Sequence, residues 1–117
     1  MTRRILIAEP DSDVRTMLEL TVRKLGYEPV APSELGVRPK VDAVLLEPGC
    51  PLARAVLHRF GDRIPPVICL SIYPPEARLA PPATVAYLVK PASTEALASA
   101  LSEAFWRSSP YEQRFVA

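Results

Sequence analysis

Six side chains able to do chemistry stand at or just beyond short apolar runs. Glu9 and Asp11 follow Ile5–Ala8, Glu47 follows Val41–Leu46, and Ser71 closes Val67–Ser71. Tyr87 lies within Val85–Val89, and Lys90 comes directly after it. Carboxylates can hold Mg²⁺, which completes its shell with water or phosphate oxygens. A lysine binds phosphate as a point charge, and a serine hydroxyl donates to a phosphoryl oxygen. Acids, a hydroxyl and an ammonium gathered in one pocket point to phosphoryl transfer onto a carboxylate. Other chemistries lack their parts. His58 is the one histidine, so a multi-histidine metal site is excluded. A hydrolase of the Ser-His-Asp kind has no base placed for it. Cys50 and Cys69 form no CxxC pair, and neither GxGxxG nor GK[ST] occurs.

The pocket forms only if the apolar runs are neighbouring strands. Ile5–Ala8, Tyr27–Ala31, Val41–Leu46 (with Asp42 near its start), Val67–Ser71 and Val85–Val89 read as five strands, largely continuous apolar runs rather than alternating ones. Continuous apolar strands separated by helical segments predict a parallel sheet covered on both faces, with right-handed crossovers. In such a sheet the functional crevice lies beyond the carboxyl ends of the strands. The chemically capable residues fall there.

The spacing of Val14, Met17, Leu18, Thr21, Val22 and Leu25 predicts a helix over about 12–25, capped by Asp11 or Ser12 and ended by Gly26. Residues 32–40 hold at most one helical turn. Leu52–Phe60 predicts a short helix, and Ser93 caps a last one running to about Arg107. Fourteen prolines in 117 residues are spread as loop punctuation. Around Glu76–Leu79 they obstruct any helix, so the middle helices are expected to be short.

Size and composition fit one domain with a real core: 49% of residues are apolar and 23% charged. We expect a domain over 1–107 and a tail over 108–117. Fourteen basic against thirteen acidic residues argue against a dedicated nucleic-acid surface. No run of about 18 apolar residues exists to span a membrane, and Ile5–Ala8 is too short for a signal peptide. The expected compartment is the cytoplasm, with reduced thiols, Cys69 buried in its strand and Cys50 in a loop.

Five segments together resemble the receiver domain of two-component response regulators, the CheY-like fold. They are Arg4–Arg15, Leu25–Val30, Asp42–Glu47, Pro65–Ser71 and Ala86–Pro91, and they stand in the family's order. The resemblance implies a doubly wound α/β (flavodoxin-like) sheet of order 2-1-3-4-5. It matches Glu9 to the first of two adjacent acids, Glu47 to the phosphoacceptor aspartate, and Ser71 to the phosphate-sensing hydroxyl. It matches Tyr87 to the aromatic switch and Lys90 to the lysine of the pocket. It also implies a cis peptide at Pro91.

The departures carry as much meaning as the matches. The second acid is replaced by Pro10, and Asp11 comes one place late. A Mg²⁺ site on Glu9 and Asp11 therefore lacks a main ligand, and no other cofactor is implied. Glu47 is longer than aspartate by one methylene, roughly 1.5 Å. These features resemble a degenerate, or pseudo-receiver, domain that is not an enzyme.

Three readings of Glu47 stay open: a mimic of the phosphorylated aspartate, a simple neutraliser of Lys90, or a phosphoacceptor served by a histidine kinase and Mg²⁺. For the first acids the alternatives are Mg²⁺ binding, or Asp11 capping the helix while Glu9 pairs with Lys90. The resemblance implies signalling through a protein partner, a histidine kinase or a downstream protein. A non-switching scaffold is the bland alternative. Residues 74–89 and 94–107 match the family's usual contact face and would carry any homodimer. His58 is expected to be a solvated surface residue.

Overall fold

The computed structural model describes residues 2–37, 39–75 and 80–107. Residues 76–79 and the 108–117 tail, both singled out above, lie outside them. The strands are β1 (Arg4–Ala8), β2 (Glu28–Val30), β3 (Ala43–Leu46), β4 (Val67–Ser71) and β5 (Thr84–Val89). They form one parallel sheet in the order β2-β1-β3-β4-β5. The helices are α1 (Ser12–Lys24), α2 (Pro51–His58) and α3 (Thr94–Arg107). A single 3₁₀ turn, Pro32–Glu34, stands between β2 and β3. The expected shortening of the middle helices is seen there and in the eight residues of α2.

Alternation along each strand divides the core into two layers. Ile5, Ile7, Ala43, Leu45, Ile68 and Leu70 face α1 and α3, where Val22, Leu97, Leu101 and Phe105 meet them. Leu6, Ala8, Val44, Leu46, Val67 and Cys69 face the other way, onto Ala53 and Val56 of α2 and onto Leu35. β1, β3 and β4 are buried almost throughout, which is why their sequences are uniformly apolar. Such burial contributes roughly 1.5–3 kcal/mol per large aliphatic side chain, set against the entropy of ordering it.

Local chemistry sets the helix ends. Asp11 Oδ1 accepts from the amides of Asp13 (2.9 Å) and Val14 (3.0 Å), so α1 starts where its first free N–H groups find a carboxylate. Arg23 and Lys24 stand in its last turn, favourable to the helix dipole. Gly26 then takes φ 91°, the left-handed region that favours glycine, and turns the chain into β2. Against expectation, β3 begins at Ala43 rather than Val41. The carboxylate of Asp42 accepts the amide of Arg4 (2.7 Å) and closes the entry to the strand from the side. At the far end of α3, Phe105 meets Tyr27 edge-on at 5.3 Å, and the Arg3 guanidinium lies 4.3 Å from the Phe105 ring centre.

Candidate functional site

The sheet register explains the site. Ala8 pairs with Leu46, and the amide of Glu47 still donates to the Ala8 carbonyl (3.2 Å). Glu9 and Glu47 therefore stand side by side, one residue past their strands. Two carboxylates so close repel and call for a cation between them. β5 lies two strands away from β1's neighbour β3, and there the amide of Lys90 donates to the Ser71 carbonyl (2.8 Å). The long lysine stem spans β4 and delivers its ammonium to the acids.

Lys90 Nζ donates to Glu9 Oε1 at 2.5 Å and lies 3.6 Å from Glu47 Oε1. The Glu9 contact is a charge-assisted hydrogen bond, while the Glu47 contact is an ion pair beyond hydrogen-bond distance. Side-chain exposure is 4% for Glu9, 13% for Lys90 and 17% for Glu47, so the triad sits largely out of water. Glu9 is held further: its Oε2 accepts from the Asp11 amide (3.1 Å), and its carbonyl accepts from Arg15 Nη1 (3.3 Å). Glu47 Oε2 is buried and has no hydrogen-bond partner. Beneath it, Cys50 Sγ donates to the Glu47 carbonyl (3.1 Å) and accepts from the Ala53 amide (3.4 Å), capping α2.

The structure brings Glu9, Glu47 and Lys90 together, with Lys90–Pro91 cis. Ser71 is fully buried at the same edge, and its Oγ accepts the Tyr73 amide (3.2 Å). Tyr87 is half-buried, and its hydroxyl donates to the Tyr73 carbonyl (2.9 Å). Asp11 points elsewhere: it is exposed, and its Oδ1 is the α1 cap. Among the described residues no three of His, Cys, Asp and Glu are grouped to hold a metal ion. His58 is exposed on α2, away from the pocket.

Sequence reasoning missed the role of Tyr73, whose backbone joins Ser71 to Tyr87, and that of Cys50. Pro51 at the first helical position was the legible signal, whereas cysteine is not one of the usual cap residues. Cys69, on β4, is fully buried and contacts Thr84 Oγ1 at 3.5 Å. Burial pushes its thiol above the usual range; the Thr84 hydrogen bond lowers it, and the charge of Glu47 raises it further.

A small cavity of about 150 Å³ opens beside the triad. Val14, Met17 and Leu18 of α1 line one side, and Lys90, Pro91 and Leu97 the other. Met17 and Leu20 of α1 stand exposed nearby on the same helix.

No family model matches the chain, and no curated protein does. Solved structures do. A signal receiver domain of an HD domain-containing protein from Pseudomonas fluorescens Pf-5 matches at TM-score 0.74 and 20% identity, over 98% of this chain and 94% of that one. The chemotaxis response regulator CheY4 of Vibrio cholerae matches at 0.69 and 19%, over 89% and 99%. The receiver domain of a sensor histidine kinase from Pseudomonas aeruginosa PAO1, with magnesium coordinated in its active-site cleft, matches at 0.68 and 21%, over 93% and 100%. These likenesses define the fold: the chain has the CheY-like receiver architecture, with the sheet order that the sequence resemblance implied.

Proposed function

We propose that this chain is a signalling module of the two-component type that works through contact with a protein partner, its acidic pocket closed by an internal cation. The observation that carries this reading is Lys90 Nζ lodged between Glu9 and Glu47. The ammonium takes one oxygen of Glu9 and stands 3.6 Å from one oxygen of Glu47, which places a cation between the two acids without a divalent ion. The residues present do not fit Mg²⁺: Glu9 is bound on both oxygens, Pro10 brings no carboxylate, and Asp11 is spent on α1. Glu47 holds its carboxylate 3.6 Å from Lys90, which supports reading it as a fixed stand-in for a phosphorylated aspartate. The partner would be a histidine kinase or a downstream protein, and the apolar cavity between α1 and the Lys90–Leu97 segment supports a protein contact near the pocket. The module switches or docks; it turns over no substrate.

The competing reading, a working phosphoacceptor, has one observation in its favour: Glu47 Oε2 makes no hydrogen bond that a reaction would have to break. A nucleophile displaced by about 1 Å already loses on the order of 10²-fold in rate, and glutamate is displaced by more than that. Incubation with acetyl phosphate and Mg²⁺, followed by intact mass, separates the two. The proposal predicts no phosphoryl adduct. A stoichiometric adduct on Glu47 refutes it. A scaffold without switching is separated by partner affinity: Glu47→Gln and Lys90→Ala alter binding under the proposal and leave it unchanged in a scaffold.

A further inference from the structure

At the opposite end of the sheet from the triad, a groove of about 640 Å³ lies between the segment leading into β3 and the chain leaving α2. Its walls are Val37, Pro39, Lys40, Arg59, Phe60 and Arg63. Three of the six are cations, and none of them pairs with a carboxylate among the described residues. Other described cations of the chain also lie outside ion pairs, so it is the gathering of three of them on one groove that marks this place. Arg59 is also fixed in place. Its Nη2 donates to the carbonyls of Leu35 (3.1 Å) and Gly36 (2.9 Å), which orders the guanidinium and leaves the other N–H groups of the fork unspent. A preordered guanidinium loses less entropy on meeting a carboxylate. Beside these charges stands Val37, 97% exposed, an apolar side chain wholly in water at the lip. Phe60 forms the half-buried floor, packed on the α2 layer of the core.

We propose that this groove docks an acidic peptide segment of a protein partner that also carries a large apolar side chain. The carboxylates meet Arg59, Arg63 and Lys40, and the apolar side chain covers Val37 and Phe60. Charge complementarity identifies the occupant: unpaired cations of one sign attract and orient an acidic segment, and the apolar lip rewards its burial. The surface belongs to a different end of the molecule from Glu9, Glu47 and Lys90. It stands whether or not the pocket is closed as proposed above.

The test is an amide-resolved NMR titration of the ¹⁵N-labelled full chain. The probe is a short synthetic peptide of glutamates around a central leucine and phenylalanine. The expected result is a set of shift changes concentrated at Val37, Lys40, Arg59, Phe60 and Arg63, weakening as salt is raised. The variant Lys40→Gln/Arg63→Gln spares Arg59 and its loop contacts, so the fold is kept. It is expected to weaken binding by about five- to tenfold, two exposed charge pairs being lost. Replacing the leucine and phenylalanine of the peptide by serine is expected to weaken it as well. Absent shifts, shifts centred on another face, or equal affinity of the double variant overturn the proposal. So does an equally tight all-polar peptide, or tighter binding of a short RNA to the same residues.

Discussion

At the scale of single residues, the register of two strands creates the central problem of the molecule and one lysine solves it. Glu9 and Glu47 adjoin because Ala8 pairs with Leu46, and Lys90 lies between them at 2.5 and 3.6 Å. Removing one partner of a buried pair leaves the other charge uncompensated, which costs more than the pair itself contributes. Lys90→Met is therefore expected to lower unfolding free energy by about 3 kcal/mol. Adding Glu9→Gln should recover part of that loss, and urea unfolding of the double-mutant cycle measures how much. Glu47→Gln should cost under about 1 kcal/mol, since its ion pair is longer and partly exposed. Equal losses for Glu9→Gln and Glu47→Gln contradict the geometry.

Cys69 offers a pH handle at the same scale. Its thiol titrates above the ordinary 9.0 in the fold, chiefly through burial. The unfolded chain thus releases the proton first as pH rises. Stability from this group is fully present below the ordinary value and falls as pH climbs from there toward the raised one. Melts across this alkaline range are expected to slope less steeply for Cys69→Ala than for the parent chain. With a thiol reagent near neutral pH, Cys50 is expected to react first and Cys69 only on unfolding, read by mass spectrometry.

At the scale of elements, α1 depends on Asp11. Its Oδ1 accepts from two helix amides at 2.9 and 3.0 Å. Asp11→Ala should lower stability by about 1 kcal/mol, and Asp11→Asn by much less, in thermal melts. A metal-binding role for Asp11 predicts instead that both substitutions abolish Mg²⁺ affinity with little effect on the melt. Elements were the level at which the sequence was most legible. The apolar runs marked β1, β4 and β5 to within a residue: β1 and β4 are buried on both faces and leave no polar position to blur them, while the half-buried edge strand β5 is bounded by Pro82 and by Lys90–Pro91. Two starts were misplaced for the opposite reason. Val41 and Asp42 look like the head of β3, yet Asp42 is spent on the Arg4 amide, a contact 38 residues away that no local pattern announces. Tyr27 looks like the head of β2, yet its amide donates back to the Val22 carbonyl of α1 (3.0 Å) and closes the helix end. In the site, the Glu9–Lys90 pairing was one of the two alternatives that residue type and order left open, whereas the link from Ser71 through Tyr73 to Tyr87 runs through backbone atoms, which side-chain identity does not encode.

At the scale of the whole molecule, the parallel sheet holds the acidic pocket and the basic groove at opposite ends. The carboxyl ends of the strands carry Glu9 and Glu47 around an ammonium; the other end carries the groove of Lys40, Arg59 and Arg63 beside the Arg4–Glu28 ion pair and Asp42. A ligand that binds only the native state raises its stability by mass action. If Lys90 closes the pocket as proposed, millimolar Mg²⁺ leaves the melting temperature where an ionic-strength-matched monovalent salt leaves it. A rise specific to Mg²⁺ means that the acids accept a divalent ion. In a partner-bound state both ends would be readable at once, the groove by salt dependence and the pocket by the effect of Glu47→Gln.

The sharpest single measurement is a high-resolution crystal structure grown with excess Mg²⁺ and beryllofluoride. The predicted result is Lys90 Nζ hydrogen-bonded to Glu9 and near Glu47, with no ion in between. An octahedral ion with contacts of about 2.1 Å beside Glu9, or a beryllofluoride adduct on Glu47, contradicts it.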